Sequence, residues 1–502
     1  MNESRLKKST RNIVFIIISQ IIKFIFVYVT RIIFVKCLGE TLLGINGLFT
    51  NVLSILCLAD MGITTAMMYS LYKPISENDE IQISKYINYF KSIYRIIALF
   101  IFVTGLLLIP FLKYIINLPT DIKNIYLYYF LFLLNTVISY LFVYKTTLLI
   151  ADQKNYIINI VDTIFQFLLF IFQLISIVIY ENFVFYLISG IICTFVGNVI
   201  KAKYTEIKYP YLIKNKNLVL DTSEKNMLKK NIGSLFFYKL GGIIQSNTDN
   251  ILISIYIGTI MVGKYSNYNT LILQTSAFIY LIFNALKSSV GSFNIKKDKN
   301  DKLWLYNVLD VFNNVIIGFV SILLLLILSD FIELSFGKKF ILDECLIIMM
   351  ILNFYTSNIR QTLWIYRETS GIFTKTKYIT LVTAIINLLS SIVLGKLFGF
   401  VGILSATVIS RMLYAWWKEP IIIYNNIFGI SSKMYFVGYI NNLLELSIIY
   451  IFIKFIFSYF TFSSILVKIV VKVIIILIIM IIYYYIKYRK SDAFKYMKKI
   501  LN

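Results

Sequence analysis

The chain has 502 residues, 59% of them hydrophobic and only 15% charged, with a mean hydropathy of +0.79. A soluble globular domain carries about a quarter charged residues, so a water-soluble fold is excluded. The formal charge of +24 sits on basic residues scattered through short polar intervals between apolar runs, which suits anionic lipid headgroups and gives no concentrated nucleic-acid face.

Fourteen apolar segments are predicted, near 13–35, 41–70, 93–116, 125–150, 157–179, 183–200, 231–256, 261–286, 305–329, 341–366, 378–395, 400–417, 438–458 and 464–486. Most can cross roughly 30 Å of hydrocarbon as helices. In lipid the backbone must satisfy its own hydrogen bonds, so the many Ile, Phe and Tyr residues read as helix despite their β propensity. Strand-like alternation with regular turns is absent, which disfavours an outer-membrane barrel. The basic leader MNESRLKKSTR precedes a full-length apolar run with no small-residue cleavage site, and this predicts an uncleaved first span.

The second apolar segment is interrupted by Asp60 in ADMGITTAMMYSLYKPISEND, residues 59–79; KPISEND is expected to mark the return of the second helix to the cytoplasm. Most lysines and arginines fall on the N-terminus, the even-numbered turns and the C-terminus, so both termini are expected in the cytoplasm of a plasma membrane. The longest polar interval, 201–230, separates two sets of six segments. The expected organisation is an N-terminal lobe over 1–203, a cytoplasmic linker over 204–230 and a C-terminal lobe over 231–424. A further helix pair over 438–486 and a basic tail over 487–502 complete it. Because six is even, repeated halves would be related by an axis along the membrane normal. The sequence carries an echo of such repetition: at an offset of 219, Gly39 and Gly44 match Gly258 and Gly263, each pair following the first segment of its set.

Charges inside the apolar segments include Lys23 and Arg31 in the first, Asp60 in the second, Lys239 and Asp249 in the seventh, Arg360 in the tenth and Arg411 in the twelfth. A mid-span charge costs about 2.5–3.5 kcal/mol on insertion scales, so such groups face an aqueous cavity or a partner. Arg411, near a cytoplasmic end, is expected to snorkel. Glu445, Lys454, Lys468 and Lys472, in the last two segments, are read as peripheral. Lys23, Arg31, Lys239 and Arg360 are candidates for holding an anion such as a diphosphate. Asp60 and Asp249 are candidates for balancing those charges or for coupling to protons or sodium. Four scattered cysteines and the lack of any histidine leave no pattern for a zinc site, a Cys–His centre or a Ser–His–Asp triad. No cofactor and no enzymatic role are expected.

The run LADMGITTAMMYSLYKPISENDEIQISKYINYFKSIYR resembles polysaccharide-export flippases, the Wzx-type oligosaccharide translocases of the MATE-like exporter superfamily. NIGSLFFYKLGGIIQSNTDNILISIYIGTIMVGKYSNYNTLI is similar to the matching part of capsule-type members. The resemblance implies an all-α polytopic membrane protein with two six-helix lobes related by pseudo-two-fold symmetry and working by alternating access. The implied substrate is an undecaprenyl-diphosphate-linked oligosaccharide, moved from the inner to the outer leaflet for capsule, exopolysaccharide or O-antigen assembly. The implied partners are membrane lipids, a polysaccharide polymerase and other assembly proteins. Arg31, Asp60 and Asp249 stand where that family tends to place polar groups. Fourteen segments in place of twelve look more like the lipid II flippase branch, and leave that cargo, or a cation antiporter of MATE type, as alternatives.

Overall fold

A computed structural model describes the chain outside residues 1, 58–62, 117–121, 153, 227, 229–240, 242–246, 371, 377 and 496–502. The regular structure of the described residues is all helical, with no strand. By length and apolar composition, seven of these helices can cross a membrane, or eight with one bent pair, which defines a multi-pass helical membrane protein. The chain divides into two compact units, Met1–Gly263 and Lys264–Asn502.

In the first unit, α1 (Asn2–Leu56) is two helices joined at Gly39, whose φ of 84° breaks the helical path. Next come α2 (Ile63–Glu77), α3 (Glu80–Leu108), α4 (Ile125–Tyr140), α5 (Val143–Ala151), α6 (Asn155–Val178), α7 (Phe183–Lys208) and α8 (247–256). Helix α6 packs between α1 and α7, and α4 lies against α3 and α7. Asp79 caps α3 by accepting from the Gln82 N–H at 2.9 Å. The second helix outlasts its apolar window, which ends at 70. Helix α2 continues through Pro74 to Glu77, and the turn is confined to Asn78 and Asp79. Polar composition marks where a helix leaves lipid, whereas the helix itself stops where the next cap begins.

The interval 209–226 is folded down onto α3. Asn88 Nδ2 donates to the carbonyls of Asn215 (2.9 Å) and Leu218 (3.0 Å), Asn215 reaches Ser84, and Lys85 pairs with Asp221.

The glycine echo acquires a physical meaning in this unit. Gly39 and Gly258 both have positive φ, 84° and 129°, and each makes a turn that ordinary side chains resist. Five residues beyond each, a second glycine permits close backbone approach. A Cβ on Gly44 would overlap the Thr259 carbonyl, and a Cβ on Gly263 would lie 2.9 Å from the Glu40 carbonyl oxygen. Glu40 and Thr259 are themselves 219 residues apart, so the two contacts are reciprocal, as a two-fold relation requires.

The second unit contains α9 (Thr259–Lys296, which starts in the first), α10 (Lys299–Phe336), α11 (Glu344–Asn358), α12 (Gln361–Thr369) and α13 (Ile379–Ser410). It continues with α14 (Trp416–Ile423), α15 (Lys433–Ser458) and α16 (Ile465–Tyr488). Gly399 bends α13 into two helices, and π-helical turns at Arg411–Ala415 and Tyr424–Phe428 flank α14. The expected segments fall mostly on helix over their described residues, with breaks at 141–142 and 359–360. Several helices run one to four turns further than the apolar windows, because their polar ends project past the hydrocarbon.

Candidate functional site

Lys23 on α1 is half-buried, in electrostatic reach of Asp162 on α6 and Lys201 on α7. Lys201 Nζ lies 2.7 Å from Asp162 Oδ1. Two lysines therefore share one carboxylate among three packed helices, and the trio keeps a net positive charge. The sequence did signal Asp162, an acid inside the fifth apolar segment that was not singled out there.

About 12 Å further along α1, Arg31 sits beside aromatic side chains. Tyr28 and Tyr186 lie beside it, and the Tyr186 hydroxyl shares hydrogen bonds with Asn46 and Gln173. Phe34 locks this corner by edge contacts with Phe183 and Tyr186, at 5.6 and 5.1 Å between centroids. An arginine guanidinium stays charged in such surroundings, and its planar fork suits an anion. Asp249 on α8 is buried, as is its neighbour Asn250. One turn on, the Ser254 hydroxyl donates to the Ile115 carbonyl at 2.7 Å and bonds Thr259 Oγ1 at 2.8 Å. Lys239 and Asp60 lie outside the described residues.

Arg360, in the second unit, is engaged by a partner the sequence reading missed. It is 7% exposed; its Nε donates to Glu419 Oε2 at 3.0 Å, and a second guanidinium nitrogen binds the same oxygen. Arg367 Nη1 takes Glu419 Oε1 at 2.8 Å. Glu419 has no exposed surface and joins α12 to α14 through two arginines. It escaped notice because the apolar window for the twelfth segment ends at 417, while the helical path continues to Phe428. Arg411 does not snorkel. It is buried, and its Nη1 donates to the Asn353 carbonyl (3.0 Å), Asn353 Oδ1 (2.9 Å) and Thr356 Oγ1 (2.5 Å) of α11. Satisfying three acceptors inside the bundle outweighs reaching water along a flexible stem.

The charges of α15 and α16 are also structural ties. Lys468 and Lys472 converge on Asp330 of α10 at 2.7 and 2.6 Å, Lys454 binds Glu344, and Lys487 binds Glu445. Asn442 and Tyr484 reach Asn314 of α10 at 2.9 and 3.0 Å. Among the described residues no group of His, Cys, Asp and Glu could hold a metal.

The fold these helices define is that of the lipid II flippases and MATE transporters. Neither a protein-family model nor a curated protein sequence matches the chain. Among solved structures it is similar to the lipid II flippase MurJ in an inward closed conformation, with a TM-score of 0.69 and 15% identity over 94% of this chain and 97% of that one. It is similar to an inward-facing multidrug-resistance MATE transporter of the MOP superfamily, at 0.59 and 14% over 85% and 94%. It also resembles the Vibrio cholerae MATE transporter VcmN, at 0.58 and 12% over 85% and 99%. At these identities the likeness concerns the fold.

Proposed function

We propose that the protein is a flippase that carries undecaprenyl-diphosphate-linked oligosaccharide repeat units from the inner to the outer leaflet of the bacterial plasma membrane, with both termini in the cytoplasm. The observation that supports this is the pair of cations α1 carries in its apolar segment: Arg31 beside Tyr28 and Tyr186, and Lys23 sharing Asp162 with Lys201. Lys23 and Arg31, with Lys239, hold the diphosphate while the sugars occupy water. Arg360 stands apart from them, since Glu419 already answers its charge; in this reading it contributes through the Arg360–Glu419–Arg367 cluster. Asp249, with Asp60, balances the bases or takes up a coupling proton or sodium ion. A cation carrier would call for an acidic cavity, whereas the charges that α1 places within its apolar segment, Lys23 and Arg31, are basic.

The fold supports a second cargo, lipid II, because the MurJ likeness spans 94% of the chain whereas the MATE likenesses span 85%. Reconstituted vesicles separate the two. A fluorescent polyprenyl-diphosphate oligosaccharide should become accessible outside, and Arg31→Ala should stop this while leaving the protein in the membrane. Transport of lipid II alone selects the second cargo, and undiminished transport by Arg31→Ala refutes the role of Arg31. In cells, a polymerase and other assembly proteins would act on the exported unit.

A further inference from the structure

Near the middle of α3 cations gather in excess. Lys91 lies within electrostatic reach of Arg95 on the same helix, Lys145 on α5 and Lys216 in the folded-down interval, and a single carboxylate, Glu206 on α7, answers them. Glu206 is already paired with Lys145 at 2.7 Å. Four cations against one acid leave a net charge of +3 in one place. Lys216 is held there actively: Asn88 binds the carbonyls of Asn215 and Leu218 on either side of it. Tyr144, within reach of Arg95 and Glu206, closes the group. Mutual repulsion held in place by such a clamp calls for an anion.

Depth along the helix says what carries that anion. Arg95 is the last charge before an uncharged run from Ile96 to Leu112, about 25 Å of helix, which matches hydrocarbon. The basic group therefore stands at headgroup level. Directly beyond exposed Arg95, Ile96, Leu99, Val103 and Leu107 form an exposed apolar stripe along α3 at helical spacing. A charged head with an apolar track leading from it into the bilayer fits a phospholipid, not a free phosphate.

We infer that Lys91, Arg95, Lys145 and Lys216 seat the phosphate of an anionic phospholipid, with an acyl chain along the Ile96–Leu107 stripe. In the proposed orientation this is a lipid of the cytoplasmic leaflet, and the seat is independent of the cargo. Full-length protein purified from mixed phosphatidylglycerol and phosphatidylcholine should, in native mass spectra, retain phosphatidylglycerol preferentially. Arg95→Gln, at an exposed position, should weaken that retention about fivefold, and Lys91→Gln/Arg95→Gln/Lys216→Gln by more than tenfold. Glu206→Gln should strengthen it, while Lys297→Gln/Lys302→Gln, elsewhere on the chain, should leave it unchanged. Equal retention by Arg95→Gln and the wild type, equal retention of both lipids, or preferential displacement by undecaprenyl diphosphate would overturn the assignment.

Discussion

Glu419 shows how much one side chain can carry in this protein. Its two oxygens bind Arg360 and Arg367 in the interior, and Glu368 lies farther off, 3.9 Å from Arg367, so removing the Glu419 charge takes the nearest counter-charge from two buried guanidinium groups. Glu419→Gln is expected to cost about 3–5 kcal/mol of stability. Adding Arg360→Met should recover part of that loss, because one of the two buried cations is then gone. Thermal unfolding of the single and double variants in detergent checks both. A different balance holds at Asp152, between α5 and α6. Burial opposes its ionisation, yet hydrogen bonds from Lys154 and from Tyr209 (2.5 Å) hold its carboxyl below its ordinary value of 3.8. Burial and the same bond push the Tyr209 hydroxyl upward. A lowered folded-state value means that the stabilisation is complete above about pH 3.8 and is lost as the pH falls through the folded value. Tyr209→Phe should therefore cost about 1 kcal/mol near neutral pH, with the deficit closing in more acid solution. A deficit independent of pH would mean that packing, not the hydrogen bond, is what Tyr209 supplies.

At the scale of elements, the turns at Gly39 and Gly258 are set by backbone approach. Gly44→Val would drive a branched side chain into the Thr259 carbonyl, and Gly263→Val into that of Glu40. Both should loosen the same contact, and their combination should cost less than the sum of the two because each breaks one reciprocal pair. Differential unfolding of the two single variants and the double variant measures the coupling. The helix pair α15–α16 is fastened by Asp330, which accepts from both Lys468 and Lys472. Asp330→Asn should raise protease sensitivity near 459–464 without unfolding the rest of the unit. An unchanged cleavage pattern would place the fastening in the apolar contacts of α10 and α16 alone. These ties explain why the sequence reading treated the lysines as peripheral. A lysine in an apolar run shows that a partner or water is needed, but the partner, Asp330, lies more than 130 residues away.

For the whole molecule, orientation is the most direct expectation. Cys37, just before the Gly39 turn, and Cys345, at the start of α11, are exposed, whereas Cys193 is buried. With cytoplasmic termini, a membrane-impermeant thiol reagent should label Cys37 and Cys345 in intact cells and spare Cys193. Labelling of the first two only after lysis would invert the topology. The fold was largely legible from hydropathy, since the solvent leaves the backbone few choices: an apolar run in lipid must close its own hydrogen bonds, and only a helix does so within one segment. Helix ends were less legible, as at Lys73–Glu77 and at Glu419, because caps and π-turns, not composition, decide where a helix stops. Of the candidate site, the sequence by itself determined which residues carry charge into the membrane, among them Lys23, Arg31, Asp249 and Arg360, because insertion of an ionised group is costly wherever it occurs. Only the tertiary structure decided which charge was already answered. Glu419 meets Arg360, α11 carbonyl and hydroxyl groups meet Arg411, and Asp162 stands between Lys23 and Lys201. Pairing depends on which helix faces pack together, and a helix of this chain carries no local mark of its distant neighbour.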